Sequence, residues 1–228
     1  MSSDQLVIIP AYNEELSLGS TLDSLIVTRV PSTLLVVDDG SSDQTLAIAE
    51  SRGVSAIRLP TNKGYSQAIS HGMKWAIANS RATKFATFDA DGQIPVEALN
   101  ECFRIASEGN FDVVLGLRSQ EKCRMVENFI SRGIALLSVG ESYPDYLCGL
   151  KVYDSQYVQK MFETPAKNFL NFVWAALAFN ISGSQIDIYA SPRPSRFGST
   201  HKANLKILKT AMVACVEILR LRFKEMRR

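Results

Sequence analysis

The sequence predicts an α/β domain in which a mostly parallel sheet is flanked by helices. Three observations carry that expectation. Short apolar runs, most containing β-branched residues, alternate with longer amphipathic segments, and such alternation implies strands joined by helical crossovers. The chain has 228 residues, 46% hydrophobic and 21% charged, which is enough to bury a sizeable core and unlike a disordered segment. No stretch reaches the roughly 18 to 20 apolar residues that a membrane-spanning helix requires, and no repeat or low-complexity tract interrupts the pattern.

Leu6–Ile9 is the first expected strand, and Asn13 is placed to cap the helix that follows. Glu14 and Glu15 fall in the first turn of that helix, and Leu18, Leu22 and Leu25 recur at helical spacing. Leu34–Val37 and Ala56–Leu59 give the second and third strands. Ile69, Met73 and Ile77 form the next helical stripe, and Phe85–Phe88 the fourth strand. Pro95 opens a helix with Val96, Leu99, Phe103 and Ala106 along one face, and Val113–Leu115 is the fifth strand. These strands read as continuous apolar runs, as expected when both faces of a sheet are covered.

The second half is less regular. Helices are expected at 124–139 and 169–179, and strands at Leu150–Tyr153 and Gln185–Tyr189. The loop SPRPSRFGST then leads into a last helix carrying Leu205, Leu208, Met212, Val216, Leu219 and Phe223. A functional boundary is expected near Asn110.

Composition excludes several classes of function. The N-terminus runs almost at once into LVIIP, with no charged region and no cleavage site, so no signal peptide is expected. The four cysteines are far apart and form no CxxC pair, which argues against a disulfide framework and a zinc site. Only two histidines are present, too few for a histidine-built metal cage. From Arg193 onward ten Lys/Arg face two Asp/Glu, a net +8, whereas the preceding 192 residues carry −6. A tail so charged is expected to meet something anionic.

In parallel α/β sheets, ligands bind beyond the carboxyl ends of the strands. Three of those ends carry acidic loops here: PAYNEE from Pro10, DDGSSD from Asp38, and DADGQ from Asp89. Clustered carboxylates repel one another, so a fold has little reason to gather them unless cations or donor groups compensate. Asp89 and Asp91, separated by one residue, point the same way in extended backbone, with α-carbons ~7 Å apart. Their oxygens can serve one hard cation with ~2.1 Å bonds, leaving positions for water and phosphate. Gln93 adds a neutral oxygen on the same side. Asp38 and Asp43 are expected to act structurally, as turn and helix-cap residues.

The segments VIIPAYNEE, VVDDGSSDQT, NKGYSQAI, FDADGQIP and DVVLGLRS, in that order and spacing, resemble the family 2 glycosyltransferases of GT-A fold. Within that family they are most similar to the polyprenyl-phosphate branch. The resemblance covers roughly residues 5–160. It implies a Rossmann-like GT-A domain over residues 1–192, with a donor half at about 1–110 and an acceptor half at 111–192. Residues 193–228 would form a basic loop and an amphipathic helix. It further implies that Pro10, Ala11, Tyr12 and Glu14 line the base and ribose pocket, that Asp39 accepts a hydrogen bond from the base, and that Lys63 lies near the donor. Asp89 and Ala90 would contact ribose and diphosphate. Asp89, Asp91 and Gln93 would hold Mg²⁺ or Mn²⁺, making Asp91 catalytic. The donor would be a UDP or GDP sugar.

For the acceptor, the resemblance points to Arg118 and Arg132 as cations for a polyprenyl phosphate. Arg196 and Lys202 lie in a loop, RFGSTHK, that resembles the family's acceptor loop. A phosphate oxygen is already ionised and needs no strong base, so positioning and charge neutralisation would do most of the work. Asp145 resembles the acid before an SGF-like turn, although Cys148-Gly149-Leu150 stands where the branch has Ser-Gly-Phe. The final helix, with Lys202, Lys206, Lys209, Arg220 and Arg222 around its polar side, is patterned to lie on an anionic membrane surface. The expected location is cytoplasmic, at most peripheral on the cytoplasmic face of a membrane.

The activity so implied is inverting transfer of a hexose to a polyprenyl phosphate. The alternatives are transfer to a saccharide hydroxyl in surface polysaccharide synthesis and an inert nucleotide-sugar-binding subunit. A dinucleotide-binding enzyme is disfavoured because no GxGxxG follows the first strand. Nucleic-acid binding is not expected, since the basic tail has no aromatic interleaving.

Overall fold

The computed structural model describes residues 4–28, 32–109, 111–118, 148–163 and 183–188. Seven strands form one sheet in the order β3-β2-β1-β4-β6-β5-β7. They are β1 (Gln5–Ala11), β2 (Thr33–Asp38), β3 (Ser55–Arg58), β4 (Lys84–Thr87), β5 (Val113–Arg118), β6 (Lys151–Asp154) and β7 (Gly183–Ile188). Every strand expected from the apolar runs is present. The helices are α1 (Leu18–Val27), α2 (Thr45–Ser51), α3 (Tyr65–Asn79), α4 (Val96–Glu108) and α5 (Ser155–Glu163). The expected helices at 124–139, 169–179 and the C-terminus lie outside the described residues.

The unbroken LVII run of β1 is explained by two cores. Leu6 and Ile8 face one side of the sheet, where Leu35, Val37, Ala68, Ile69, Met73 and Tyr157 bury them beneath α3 and α5. Val7 and Ile9 face the other, against Leu18, Leu22, Leu25, Ala49, Leu99 and Phe103 from α1, α2 and α4. Each fully buried Leu, Ile or Val here removes apolar surface worth about 1.5–3 kcal/mol. The α4 stripe is as expected, with Val96, Leu99, Phe103 and Ala106 all buried and Cys102 alongside them.

Two local expectations are corrected. Asn13 does not cap α1: its backbone sits in the left-handed region at φ 53, and the helix begins one turn later after Ser17. Asn13 spends its polar groups on the second acidic loop instead. Asp43 precedes α2 by two residues and makes a turn rather than the cap, which falls on Gln44.

The strand arrangement also places the rim of the sheet. β1 pairs in parallel with β2 and β4, so the chain leaves β1 in one direction and returns through β4 on its other side. That boundary is the topological switch point of the sheet, where a crevice opens. Pro10 marks it in the sequence. The N–H and C=O of one strand residue point the same way, and the Ile8 carbonyl accepts the Phe88 N–H from the β4 side. Pro10, two residues on, faces that side too, beyond the last β1–β4 pair at Ile8 and Thr87. A proline without an N–H is tolerated there because no partner remains for it to lose.

β6 runs antiparallel to both β4 and β5. Pairing of Lys151 with Thr87 therefore brings the turn before β6, Cys148–Leu150, to the rim where β1, β2 and β4 end. The sequence does not reveal this reversal.

Candidate active site

The rim gathers the three acidic loops, and most of their charge is met by backbone N–H groups and hydroxyls. Loop one and loop two are cross-bonded. The Asn13 N–H donates to Ser41 Oγ at 2.9 Å, and Asn13 Oδ1 accepts the Ser42 N–H at 2.9 Å. The Glu14 N–H donates to Thr45 Oγ1 at 2.7 Å, and Glu14 Oε2 accepts the Ser17 hydroxyl at 2.6 Å. Asp43 Oδ1 accepts both the amide and the hydroxyl of Thr45, and Oδ2 accepts the Glu15 N–H. Desolvation opposes ionisation of Asp43, but these hydrogen bonds outweigh it and hold its carboxyl below the ordinary value.

A depressed folded-state pKa contributes stability that is present above the unfolded value and is lost as pH falls through the folded one. Replacing Asp43 with alanine is therefore expected to lower unfolding free energy at neutral pH by about 1–2 kcal/mol. The deficit should shrink toward acid pH. Urea unfolding at pH 7 and pH 3 checks this, and an equal deficit at both would contradict it.

The two aspartates at the end of β2 play different parts. Asp38 is fully buried. Its Oδ1 accepts the Ser41 N–H at 2.8 Å, and Oδ2 lies 3.3 Å from Nε of Arg58. Arg58, which no motif singles out, also donates to the Ser41 carbonyl. Asp39 has one oxygen on the Lys63 N–H at 2.8 Å and the other on the Gly64 N–H at 2.7 Å. It thus anchors the segment entering α3 while its oxygens keep further lone pairs. Gly40 between these loops has φ +74, and a β-carbon there would lie 2.8 Å from the Thr61 carbonyl carbon, so only glycine fits.

The third loop follows β4. Asp91 Oδ1 accepts the Gln93 N–H at 3.0 Å in a tight turn. Ala90 is buried, and its carbonyl accepts the Thr21 hydroxyl at 3.0 Å, which ties the loop to α1. Asp89 Oδ1 accepts the Tyr65 hydroxyl at 2.9 Å. Tyr65 as a whole residue is 41% exposed, but its hydroxyl end is desolvated, and that desolvation with the neighbouring Asp89 charge pushes its phenol well above the usual value. It therefore remains a donor at neutral pH. On the other side, the carboxylate occupies the space a β-carbon of Gly149 would take, 1.9 Å from Oδ2 and 2.1 Å from Cγ.

Two donors fix the Gly149 turn. Thr87 Oγ1 donates to the Gly149 carbonyl at 2.7 Å, and the ammonium of the fully buried Lys151 donates to the Cys148 carbonyl. Tyr65, Gly149, Thr87 and Lys151 are functional candidates that motif reading missed. For Gly149 a signal existed, since it stands in the CGL segment that resembles the branch's SGF turn.

The other expected residues divide as follows. Pro10 and Ala11 form the buried end of β1, and Tyr12 is 42% exposed beside them. Glu14 and Gln93 are half-buried and Lys63 is exposed at the entrance to α3. Arg118 ends β5, whereas Arg132, Asp145, Arg196 and Lys202 lie outside the described residues. No group of three or more His, Cys, Asp or Glu side chains among the described residues could hold a metal. Asp89, Asp91 and Gln93 supply oxygen donors of the kind a hard cation takes, and a ligand's oxygens and water could fill its remaining positions.

Residues 6–170 match the glycosyl transferase family 2 profile. The chain belongs to that family. The GT-A expectation for its sheet and flanking helices holds. An uncharacterized protein of Methanocaldococcus jannaschii is 30% identical over 163 residues, covering 68% of this chain and 66% of that one. The undecaprenyl-phosphate 4-deoxy-4-formamido-L-arabinose transferase of Pectobacterium carotovorum is 27% identical over 215 residues, 89% of this chain and 63% of that one. The chain thus spans just under two thirds of the length of these relatives.

Among solved structures, glucosyl-3-phosphoglycerate synthase of Mycobacterium tuberculosis, in complex with Mn²⁺, UDP-glucose and phosphoglyceric acid, aligns with TM-score 0.68 at 15% identity. That alignment covers 93% of this chain and 79% of the synthase. Mannosyl-3-phosphoglycerate synthase of Rubrobacter xylanophilus aligns with TM-score 0.69 at 18% identity, covering 98% and 75%. No helix among the described residues is long and apolar enough to cross a membrane.

Proposed function

We propose that this glycosyltransferase moves a hexose from a nucleotide diphosphate sugar to a polyprenyl phosphate, with inversion at the anomeric carbon and dependence on Mg²⁺ or Mn²⁺. The observation that carries the reading is the convergence of Asp39, Tyr65 and Asp89 on the switch-point crevice, with Asp91 two residues beyond. Family membership and the polyprenyl-phosphate relatives support it. Tyr12 and Glu14 are proposed to line the base and ribose pocket at the end of β1, with Pro10 and Ala11 shaping its floor. Asp39 would contact the base through its remaining lone pairs while holding Lys63 and Gly64 in place. Ala90, whose side chain and carbonyl are already engaged, could reach a donor only through its N–H.

Asp89, Asp91 and Gln93 are the residues that would hold the cation. A bound divalent cation neutralises the diphosphate and makes it a better leaving group. Lys63 would add positive charge at the donor entrance. Arg118, Arg132, Arg196 and Lys202 are proposed to bind the acceptor phosphate, and Asp145 to support that side. Because a phosphate oxygen is ionised at neutral pH, orientation of the two substrates accounts for most of the expected acceleration.

The test is nucleotide release from a panel of UDP- and GDP-sugars with Mn²⁺, with and without a short polyprenyl phosphate. Lipid-dependent release that falls by about 10²-fold or more in Arg118→Ala supports the proposal, since losing a charge-assisted hydrogen bond to phosphate costs several kcal/mol. Equal turnover on a saccharide acceptor, insensitive to Arg118→Ala, would replace it with the hydroxyl-acceptor reading. Donor binding without any transfer would identify a binding subunit.

A further inference from the structure

The Asp39 carboxylate, the entrance to α3 and the Asp89 carboxylate form one continuous chain of contacts. Asp39 holds the N–H groups of Lys63 and Gly64 at 2.8 and 2.7 Å. Gly64 turns the backbone at φ +90, and the next residue, Tyr65, opens α3. Its hydroxyl reaches across the rim to Asp89 Oδ1 at 2.9 Å. Buried Ala68, Ile69 and Met73 seat α3 on the sheet, so the tyrosine projects from a fixed base rather than from a free loop. Opposite the hydroxyl, Gly149 leaves room for the carboxylate and nothing larger. Asp89 is therefore held from two sides, by a donor from α3 and by the turn before β6.

We propose that Tyr65 is a positioning residue for Asp89, fixing one oxygen of the carboxylate so that the group is already oriented when metal and diphosphate arrive. The inference rests on the reading of Asp89 as a metal-binding carboxylate. A carboxylate oxygen has two lone pairs, so the phenol can hold one while the other remains available to a cation. Without that hydrogen bond, Asp89 would have to be ordered at the moment of binding, and the cost would appear in affinity. Because the same segment hangs from Asp39, the arrangement also links the proposed base contact to the metal contact through one rigid helix end.

The experiment is calorimetric titration of Mn²⁺ together with UDP or GDP into wild type, Tyr65→Phe, Asp89→Asn and the double variant. Tyr65→Phe keeps the ring and its packing and removes only the hydroxyl. It is expected to weaken metal-dependent nucleotide binding by about tenfold, as loss of a hydrogen bond to a charged group does. Nucleotide binding without metal should be unchanged. In the Asp89→Asn background the further change from Tyr65→Phe should largely vanish, because coupled partners are not additive.

Tighter metal binding in Tyr65→Phe would mean that the hydroxyl obstructs the site, and would overturn the proposal. An unchanged affinity, or equal effects in both backgrounds, would overturn it as well. Failure of the underlying reading is separable, since wild type itself would then show no metal-dependent nucleotide binding.

Discussion

Replacing Asp91 with alanine is expected to lower sugar transfer by about 10³-fold or more, with the protein still folded. The expectation follows from how little else the rim offers a cation. Asp38, Asp39 and Asp43 have their oxygens on amides, a hydroxyl or Arg58, and Glu14 holds Ser17. Asp89 and Asp91 are the two carboxylates proposed to share a metal, each with one oxygen also on a donor of its own. Removing one halves the anionic set facing a divalent ion and exposes the diphosphate charge during departure. Stabilisation of such charge is worth several kcal/mol, and each 1.4 kcal/mol is a factor of ten in rate.

Asp91 also closes a turn onto the Gln93 N–H, so a modest loss of stability is expected, of about 1 kcal/mol. Steady-state kinetics across a Mn²⁺ series, together with urea unfolding, separate the two effects. Retention of more than a tenth of wild-type transfer at saturating metal would show that Asp91 is only a turn residue.

The second large effect is expected at Gly149. A methyl group in Gly149→Ala would sit 1.9 Å from Asp89 Oδ2 and 2.2 Å from Oδ1, well inside any tolerable contact. One side must move. The turn is held by Thr87 and Lys151 through its two carbonyls, and β6 behind it is paired on both edges. Asp89 is held by one hydrogen bond from a half-exposed tyrosine, so the carboxylate gives way. A displacement of about 1 Å in a reacting constellation can cost 10²-fold, and a loss of that order is expected here. The unfolding midpoint should move little. Activity within threefold of wild type would mean that the turn relaxes instead, and that Gly149 serves packing alone.

Much of this was legible in the sequence because the relevant signals are local. The apolar runs that became β1, β2, β4 and β5 are short and bounded by turn residues. They could be read because a strand buried on both faces must be apolar throughout. The stripe of Val96, Leu99, Phe103 and Ala106 likewise announced α4, since helical spacing puts those side chains on one face. Asp89 and Asp91 were expected on extended backbone, whereas Ala90 and Asp91 form a turn that Asp91 closes onto the Gln93 N–H.

Asn13 was misread for a related reason. Its type and position fit a helix cap, but the hydroxyls and amides of the DDGSS loop, roughly 28 residues away in the chain, compete for it and win. Local preference yields when a non-local partner satisfies the same groups and joins two loops as well.

The sequence by itself determined the layers of the fold, the identity of the strands, the three acidic loops and the family to which the chain belongs. Each of these depends on residue type at short spacing along one segment. Only the tertiary structure decided which donors each carboxylate meets, because those amides and hydroxyls are delivered from elsewhere in the chain. Asp39 is held by the entrance to α3, Asp38 by Arg58 and Asp89 by Tyr65. The antiparallel entry of β6 brings Gly149 to Asp89 across 60 residues of chain. Strand order and direction are properties of the whole sheet, and no spacing within a single segment encodes them.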